Sequence, residues 1–423
     1  MANSFVTAQW VGRKALTILH AKAAAAARTN RNYQNEFTPI QGVPRGTTIN
    51  VRLPFRYTLR TGPTLSAQNS VQRYGALTLN NQYGVDINFS SIERSMDLGD
   101  FSEQVLEPAM AQVAAGIENS ICTLASQFPK VVNFSTTAST VTFANIVKAR
   151  QWLTQALAPD DGSNRTLLVD PQHNYEWILN NSTLYNPQVE IADQWISGII
   201  ASKVANFMTI EETKMPSYVS GQYGSSTPVV GATAPAAVGT GNAFASTVTV
   251  TMTTWGSGST TLRAGDVLCF SGVYDVDPET YVSHGYLKQF TVTSTVSDSG
   301  GTVTAVLSPA AISSGSYQNV TAAITAGLAV CDANGNVISA STLTSQTFRS
   351  SLGFYRDAIL FACVPMLDVS DTVKMCAAES YDGFNIRFIQ VYDQNNDLLP
   401  GRLDTLSGEI VAYPELGVRV IGS

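Results

Sequence analysis

The chain has 423 residues, 44% of them hydrophobic, which excludes a disordered tail and at roughly 150 residues per domain gives two to three domains. Charged residues make up only 13%, about half the roughly 25% of an average soluble domain, so Ser, Thr, Asn and Gln must cover the surface or other chains must bury it. No run reaches the roughly 20 apolar residues of a membrane span, and five cysteines without C-x-x-C spacing and three scattered histidines argue against a disulfide frame and a metal site.

The net charge of −7 hides a split. Residues 1–85 hold ten basic side chains and one acidic one (Glu36), a net of +9, and the remainder carries −16. A basic end of this kind can face nucleic acid or an acidic partner protein. Arg13-Lys14 before Ala15–Leu19 invites a check for a signal peptide, but His20 and Lys22 break the apolar run below the roughly 7–15 residues needed.

Residues 3–27 read as one helix, with Phe5, Val6, Trp10, Leu16 and His20 at three- and four-residue spacing and alanines running to Ala27. Arg13, Lys14, Lys22 and Arg28 decorate it, as a solvated basic helix or as an arm that binds a partner. From residue 47 the period changes to two. Thr48–Pro54 and Ala76–Asn80 alternate around a polar tip with Thr61-Gly62-Pro63, and Val85–Phe89 follows. This reads as a long β-hairpin bearing Arg52, Arg56, Arg60 and Arg73. It is unstable alone and must lie on something else.

Asp100 and Glu103 form a capping-box pattern. The stripe Leu106, Met110, Val113, Ile117, Ile121, Leu124, Phe128 then predicts a helix to Pro129, a rod of roughly 42 Å with a break or kink near Pro108. Residues 130–215 read as mixed α/β: a helix over Phe143–Leu157, a strand Arg165–Val169, and Asp170 capping a helix to about Asn181. Another helical stretch and a short strand fall within 189–208.

From Met215 to Leu262 no residue is charged, and Pro and Gly punctuate the first half as a loop would. Strand-like runs follow at Thr247–Thr253, Val267–Ser271, Gln289–Val296, Thr302–Leu307 and Thr321–Val330. The segment 216–345 therefore reads as a small antiparallel barrel inserted into a loop of another domain. Strands at Phe348–Tyr355, Ala358–Pro365, Phe384–Tyr392, Gly408–Tyr413 and Val418–Ile421 close the chain, with a polar turn at Asp393–Asp397.

Two motifs invite chemistry. Asp298-Ser299-Gly300-Gly301 resembles the nucleophile loop of trypsin-like proteases, but no histidine stands in the required context, and the run suits a hairpin turn. Asp275-Val276-Asp277-Pro278-Glu279 starts like a calcium loop but lacks its Gly and bidentate Glu, and reads as an acidic surface loop. There is no phosphate loop, zinc-protease motif or dinucleotide fingerprint. The expectation is no enzyme and no cofactor.

The order of these parts resembles the major capsid proteins of tailed bacteriophages with the Hong Kong 97-type fold. Leu168-Val169-Asp170-Pro171-Gln172 is similar to the strand-to-helix element of that fold's axial domain. The run from Gly198 through Val204-Ala205-Asn206-Phe207 to Lys214-Met215-Pro216, and Arg263–Val273, resemble the approach to and the interior of the inserted barrel in short-tailed Salmonella-type phages. The resemblance implies an α+β fold divided as follows: 1–35 a basic helical arm; 36–95 an extended loop with flanking strands; 96–129 the spine helix of a peripheral domain; 130–215 an axial domain; 216–345 the inserted β-barrel domain; 346–383 the axial return; 384–423 peripheral strands.

It implies a coat protein that self-assembles into an icosahedral shell of pentamers and hexamers around packaged double-stranded DNA, through a scaffold-directed procapsid that later expands. The implied partners are copies of itself, a scaffolding protein, a portal protein and DNA held non-specifically, without a membrane. The implied location is the virion capsid, after assembly in the host cytoplasm. Arg13, Lys14, Lys22 and Arg28 would then face scaffold or DNA, and Arg52, Arg56, Arg60 and Arg73 would contact neighbouring subunits.

Two departures stand out. The acidic loop that joins inserted domains across two-fold axes in relatives has no charge here, at about 226–245. No lysine occurs between Ala23 and Pro129, so the isopeptide crosslink of Hong Kong 97 has no hairpin lysine to use. The competing readings are a β-rich tail or adhesin protein, which leaves the basic helix and spine helix unexplained, and a hydrolase resting on Ser299 alone.

Overall fold

The computed structural model describes residues 8–37, 46–88 (except 66, 70 and 71), 105–135, 139–180, 203–232 (except 224 and 225), 245–256, 260–339, 345–366, 369, 375–394, 398 and 400–422. The chain divides into two compact units, one built from Met1–Val51, Gly75–Cys122 and Ile359–Ala412, the other from Arg52–Tyr74, Thr123–Ala358 and Tyr413–Ser423.

In the first unit, helix α1 spans Ala8–Lys22 and buries Val11, Ala15, Leu16 and Leu19 against the strands Met375–Tyr381 and Phe384–Gln390. The helix expected over 3–27 therefore ends early, and residues 3–7 lie outside the described residues. Ala23, Ala25 and Ala26 are fully buried, and the Ala25 N–H donates to the Glu118 carboxylate at 2.8 Å. Burial and that bond turn the chain into a short 3-10 segment, Ala26–Arg28, against a helix propensity of only tenths of a kcal/mol per residue.

Among the described residues helix α2 covers Glu107–Thr123, about 26 Å, and the first part of the 42 Å rod expected from Asp100 lies outside them. Pro108 stands in its first turn, where a missing N–H costs nothing, and Leu124–Gln127 tighten into a 3-10 turn. The capping pattern at Asp100 and Glu103 lies outside the described residues. The apolar stripe is real: Met110, Val113, Ile117 and Ile121 are buried.

The unit's sheet has five strands around Gly401–Val411. One edge of that strand pairs antiparallel with Ile359–Val364 and then with Phe384–Gln390, and the other pairs with Asn81–Ile87. Met375–Tyr381, which no periodicity had marked, joins Phe384–Gln390 through a turn in which Asp382 and Gly383 both have positive φ (43° and 79°).

The second unit contains a mixed sheet of seven strands. Lys130–Val132 runs parallel to Gly417–Gly422, which pairs antiparallel with Thr347–Tyr355, and that strand pairs with Arg165–Val169. Phe207–Glu211 and Lys203–Val204 extend one side, and Ser217–Val219 joins the start of Thr347–Tyr355. Helices α3 (Phe143–Gln155) and α4 (Pro171–Asn180) cover it, burying Ile146, Ala149, Leu153 and Trp177 with Leu167, Phe207 and Val420. Asp170 begins α4 by accepting the Gln172 N–H at 2.9 Å. The helical stretch expected after 189 lies outside the described residues.

These pairings cut across the split between 346–383 and 384–423. Ile359–Val364 and Met375–Tyr381 belong to the five-stranded sheet, while Gly417–Gly422 belongs to the seven-stranded one.

Six antiparallel strands form the barrel, in the order Val330–Cys331, Val267–Phe270, Phe290–Val292, Val303–Ser308, Val248–Thr253 and Val229–Val230. The ring closes because the Val230 N–H donates to Leu328 O and the Val330 N–H to Pro228 O (2.9 and 3.0 Å). Val248, Val250 and Met252 face Leu307, Ala305 and Val303 across the pair, and all six are buried. Of the strand expected over Thr321–Val330, only its last residue enters the sheet, as Val330–Cys331. Ser299 sits in a two-residue turn: its N–H bonds Thr302 O at 2.9 Å, and Gly300 and Gly301 have φ of 60° and 77°.

The acidic loop is not all surface. Asp275 is buried, 2.5 Å from the Lys288 ammonium, and accepts the Tyr286 hydroxyl at 3.0 Å. Lys130 lies beside it, donating to Trp152 O at 3.0 Å, and burial pushes its ammonium down to about 8 against the pull of Asp275. Below that pH both the folded and unfolded chains hold this proton; from there up to the ordinary lysine range only the unfolded chain does. Stability therefore grows with pH across that window. Between about pH 8 and pH 10 we expect the native chain to gain roughly 2 kcal/mol relative to Lys130→Met in urea unfolding; a constant difference would contradict this.

Candidate self-assembly surface

Two regions carry the residues singled out in the sequence. On α1, Arg13 reaches Glu379 (3.4 Å) and Lys22 reaches Glu107 (3.6 Å), both across exposed surface. Lys14 is exposed and Arg28 half-buried, and neither has an ion pair among the described residues. His20 and Arg31 both meet Asp382 at the hairpin turn, at 2.8 and 3.4 Å. Far from hanging free, the described helix is fastened along its length.

The hairpin ladder is short: Thr48–Leu53 and Arg73–Thr78 pair, and no strand lies between them among the described residues. Beyond the ladder Gln68 substitutes for a strand partner. Its side chain accepts the Thr58 N–H (2.9 Å) and donates to Thr58 O (2.6 Å). Arg60 donates to the carbonyls of Gly62 and Thr64, pinning the tip to itself.

Arg56 lies 3.3 Å and Arg73 3.8 Å from the Glu415 carboxylate. Arg73 is only 5% exposed and stands over the rings of Tyr317 and Tyr413 (5.4 and 5.8 Å). Three of the four arginines expected to meet a neighbour are thus engaged within their own chain. Only Arg52 is exposed without a partner among the described residues.

What the hairpin offers outward is apolar. An extended chain turns alternate side chains to opposite sides. Arg56 and Thr58 are half-buried, whereas Phe55, Tyr57 and Leu59 between and beside them are exposed, Leu59 to 91%. Leu65 (86%) and Tyr74 (65%) are exposed on the same hairpin. Single exposed apolar residues are ordinary, but five within Phe55–Tyr74 make this segment the candidate contact surface. The alternation Phe55-x-Tyr57-x-Leu59 stands in the sequence between the arginines.

Among the described residues no cluster of His, Cys, Asp or Glu could hold a metal ion, and no helix is long and apolar enough to cross a membrane. A family model described as "P22 coat protein - gene protein 5" matches residues 50–422. The chain belongs to the P22 coat protein family.

It is a tailed-phage major capsid protein with the α+β Hong Kong 97-type fold, a structural component of the virion and not an enzyme, whose copies assemble into the capsid shell. A comparison with curated proteins returned no match. Among solved structures, the chain is similar to one from Mycobacterium phage Che8 (11% identity, 94% of this chain and 90% of that chain, TM-score 0.47). It is also similar to the capsid of Cyanophage P-SCSP1u (10% identity, 94% and 86%, TM-score 0.43) and to the CUS-3 coat protein I-domain (22% identity, 26% and 93%, TM-score 0.18).

Proposed function

We propose that this capsid protein builds pentamers and hexamers on an internal scaffold in the host cytoplasm, and that the resulting procapsid takes up double-stranded DNA through a portal and expands. The observation that carries the contact between copies is the apolar row Phe55, Tyr57, Leu59, Leu65 and Tyr74 on a hairpin too small to stand alone. A neighbouring copy that covers it removes the exposed surface and supports the hairpin at once. The barrel within 216–345 is the inserted domain, facing outward.

The basic N-terminal region suits an acidic partner. Arg13 and Lys22 hold exposed ion pairs that salt screens and a denser anion can displace, and Lys14 and Arg28 add free positive charge. Scaffolding protein is the first such partner, and packaged DNA the second. Replacing Arg13, Lys14, Lys22 and Arg28 with Glu should abolish scaffold-dependent shells in standard salt, as seen by negative-stain imaging, while α1 keeps its buried face. Unchanged shell yield would sink the scaffold assignment.

A further inference from the structure

Glu415 belongs to a short 3-10 turn, Pro414–Leu416, directly before the strand Gly417–Gly422. Its carboxylate meets arginines from both limbs of the hairpin: Arg56 on the way out and Arg73 on the way back. The returning arginine is buried, and its guanidinium lies over Tyr317, which the barrel's buried core holds, and over Tyr413, two residues before Glu415. One carboxylate therefore closes a clasp on the two limbs at the point where the apolar row begins.

The outward row depends on this clasp through the period of the chain. Arg56 held on Glu415 turns its neighbours Phe55 and Tyr57 to the other side, and the alternation of half-buried and exposed side chains continues through Thr58 to Leu59. Released from Glu415, the limb has no ladder bond between Leu53 and Arg73 among the described residues to keep that phase.

We infer that Glu415 is the positioning residue of the assembly hairpin: it fixes the direction and facing of the apolar row within the monomer, so that a second copy meets a preformed surface. This rests on the reading that the row contacts a neighbouring copy. A preformed surface binds more tightly because its ordering cost is met before association.

The test uses the full chain as monomer, with Glu415→Gln, which keeps shape and hydrogen bonding but removes charge, and Glu415→Asp as the conservative variant. Hydrogen exchange of the amides in 54–69 and in the barrel strands 248–308 is measured, together with the lowest concentration that gives shells. We expect Glu415→Gln to speed exchange in 54–69 roughly tenfold or more with the barrel unchanged, to raise the assembly concentration at least tenfold, and Glu415→Asp to recover much of both. Unaltered exchange in 54–69, or equal acceleration in the barrel, overturns the positioning role whatever assembly does. A loosened hairpin with wild-type assembly upholds the clasp and overturns the contact reading of the row instead.

Discussion

Tyr57→Asp combined with Leu59→Asp should yield a folded monomer that no longer forms shells. Both side chains are exposed in the single chain (61% and 91%), and neither carries a hydrogen bond or ion pair among the described residues. Substitutions at such positions change monomer stability by about half a kcal/mol at most. On the proposed contact between copies, the same side chains are covered in the shell. Burying each contributes about 2 kcal/mol, so losing two weakens each contact on the order of a thousandfold, before the cost of desolvating two carboxylates. The measurement is sedimentation of assembly reactions beside the thermal melt of the monomer. Shells at the wild-type concentration would remove the row from the interface, and a collapsed monomer melt would show that it serves the fold instead.

The second large effect is expected inside the second unit. Arg419→Leu should destabilise the chain by about 3–5 kcal/mol in urea unfolding. Arg419 is 2% exposed; its Nε donates to Phe128 O and its Nη2 to Gly265 O, each at 2.9 Å. The first carbonyl precedes the strand Lys130–Val132 and the second lies in the turn that opens the barrel strand Val267–Phe270. The same turn is clamped by Asp266, buried beside Arg419, whose carboxylate accepts the N–H groups of Arg263 (2.7 Å) and Gly221 (3.1 Å). Burial pushes the Asp266 carboxyl up to about 7, and the nearby guanidinium works against that rise. Removing Arg419 leaves two buried carbonyls without donors and the Asp266 carboxylate without its countercharge. A loss under about 1 kcal/mol would mean that other donors reach these carbonyls once the arginine is gone.

No local pattern in the sequence separates the roles of the arginines. Arg52, Arg56, Arg60 and Arg73 look alike as basic residues spaced along an alternating segment. Arg56 turns inward because of a carboxylate 359 positions away. Arg73 is buried under rings contributed by Tyr317 and Tyr413. Arg419 sits in a short apolar strand and gave no signal as a structural keystone.

The features that local chemistry controls were legible. Arg165–Val169, the Asp170 cap and the start of α4 follow from β-branched residues, a side-chain acceptor and a proline within seven positions. The barrel strands Val248–Thr253 and Val303–Ser308 follow from strict alternation, and the Ser299–Thr302 turn from two glycines free to take positive φ. Helix ends were less legible. The alanines after Lys22 favour helix, yet the Glu118 carboxylate and a packed surface bend them away.

The residue order by itself determined the α+β class, the charge-poor composition, most of the barrel strands and the likeness to phage coat proteins, because periodicity and turn chemistry act over a few residues. Tertiary structure alone decided which sheet each late strand joined, that Asp275 lies buried beside Lys288, and that the hairpin exposes apolar side chains while Arg56 and Arg73 turn in to Glu415. Those outcomes depend on pairing and burial between groups brought together by the fold, up to 359 positions apart for Arg56 and Glu415, where the free energy belongs to the partner as much as to the residue.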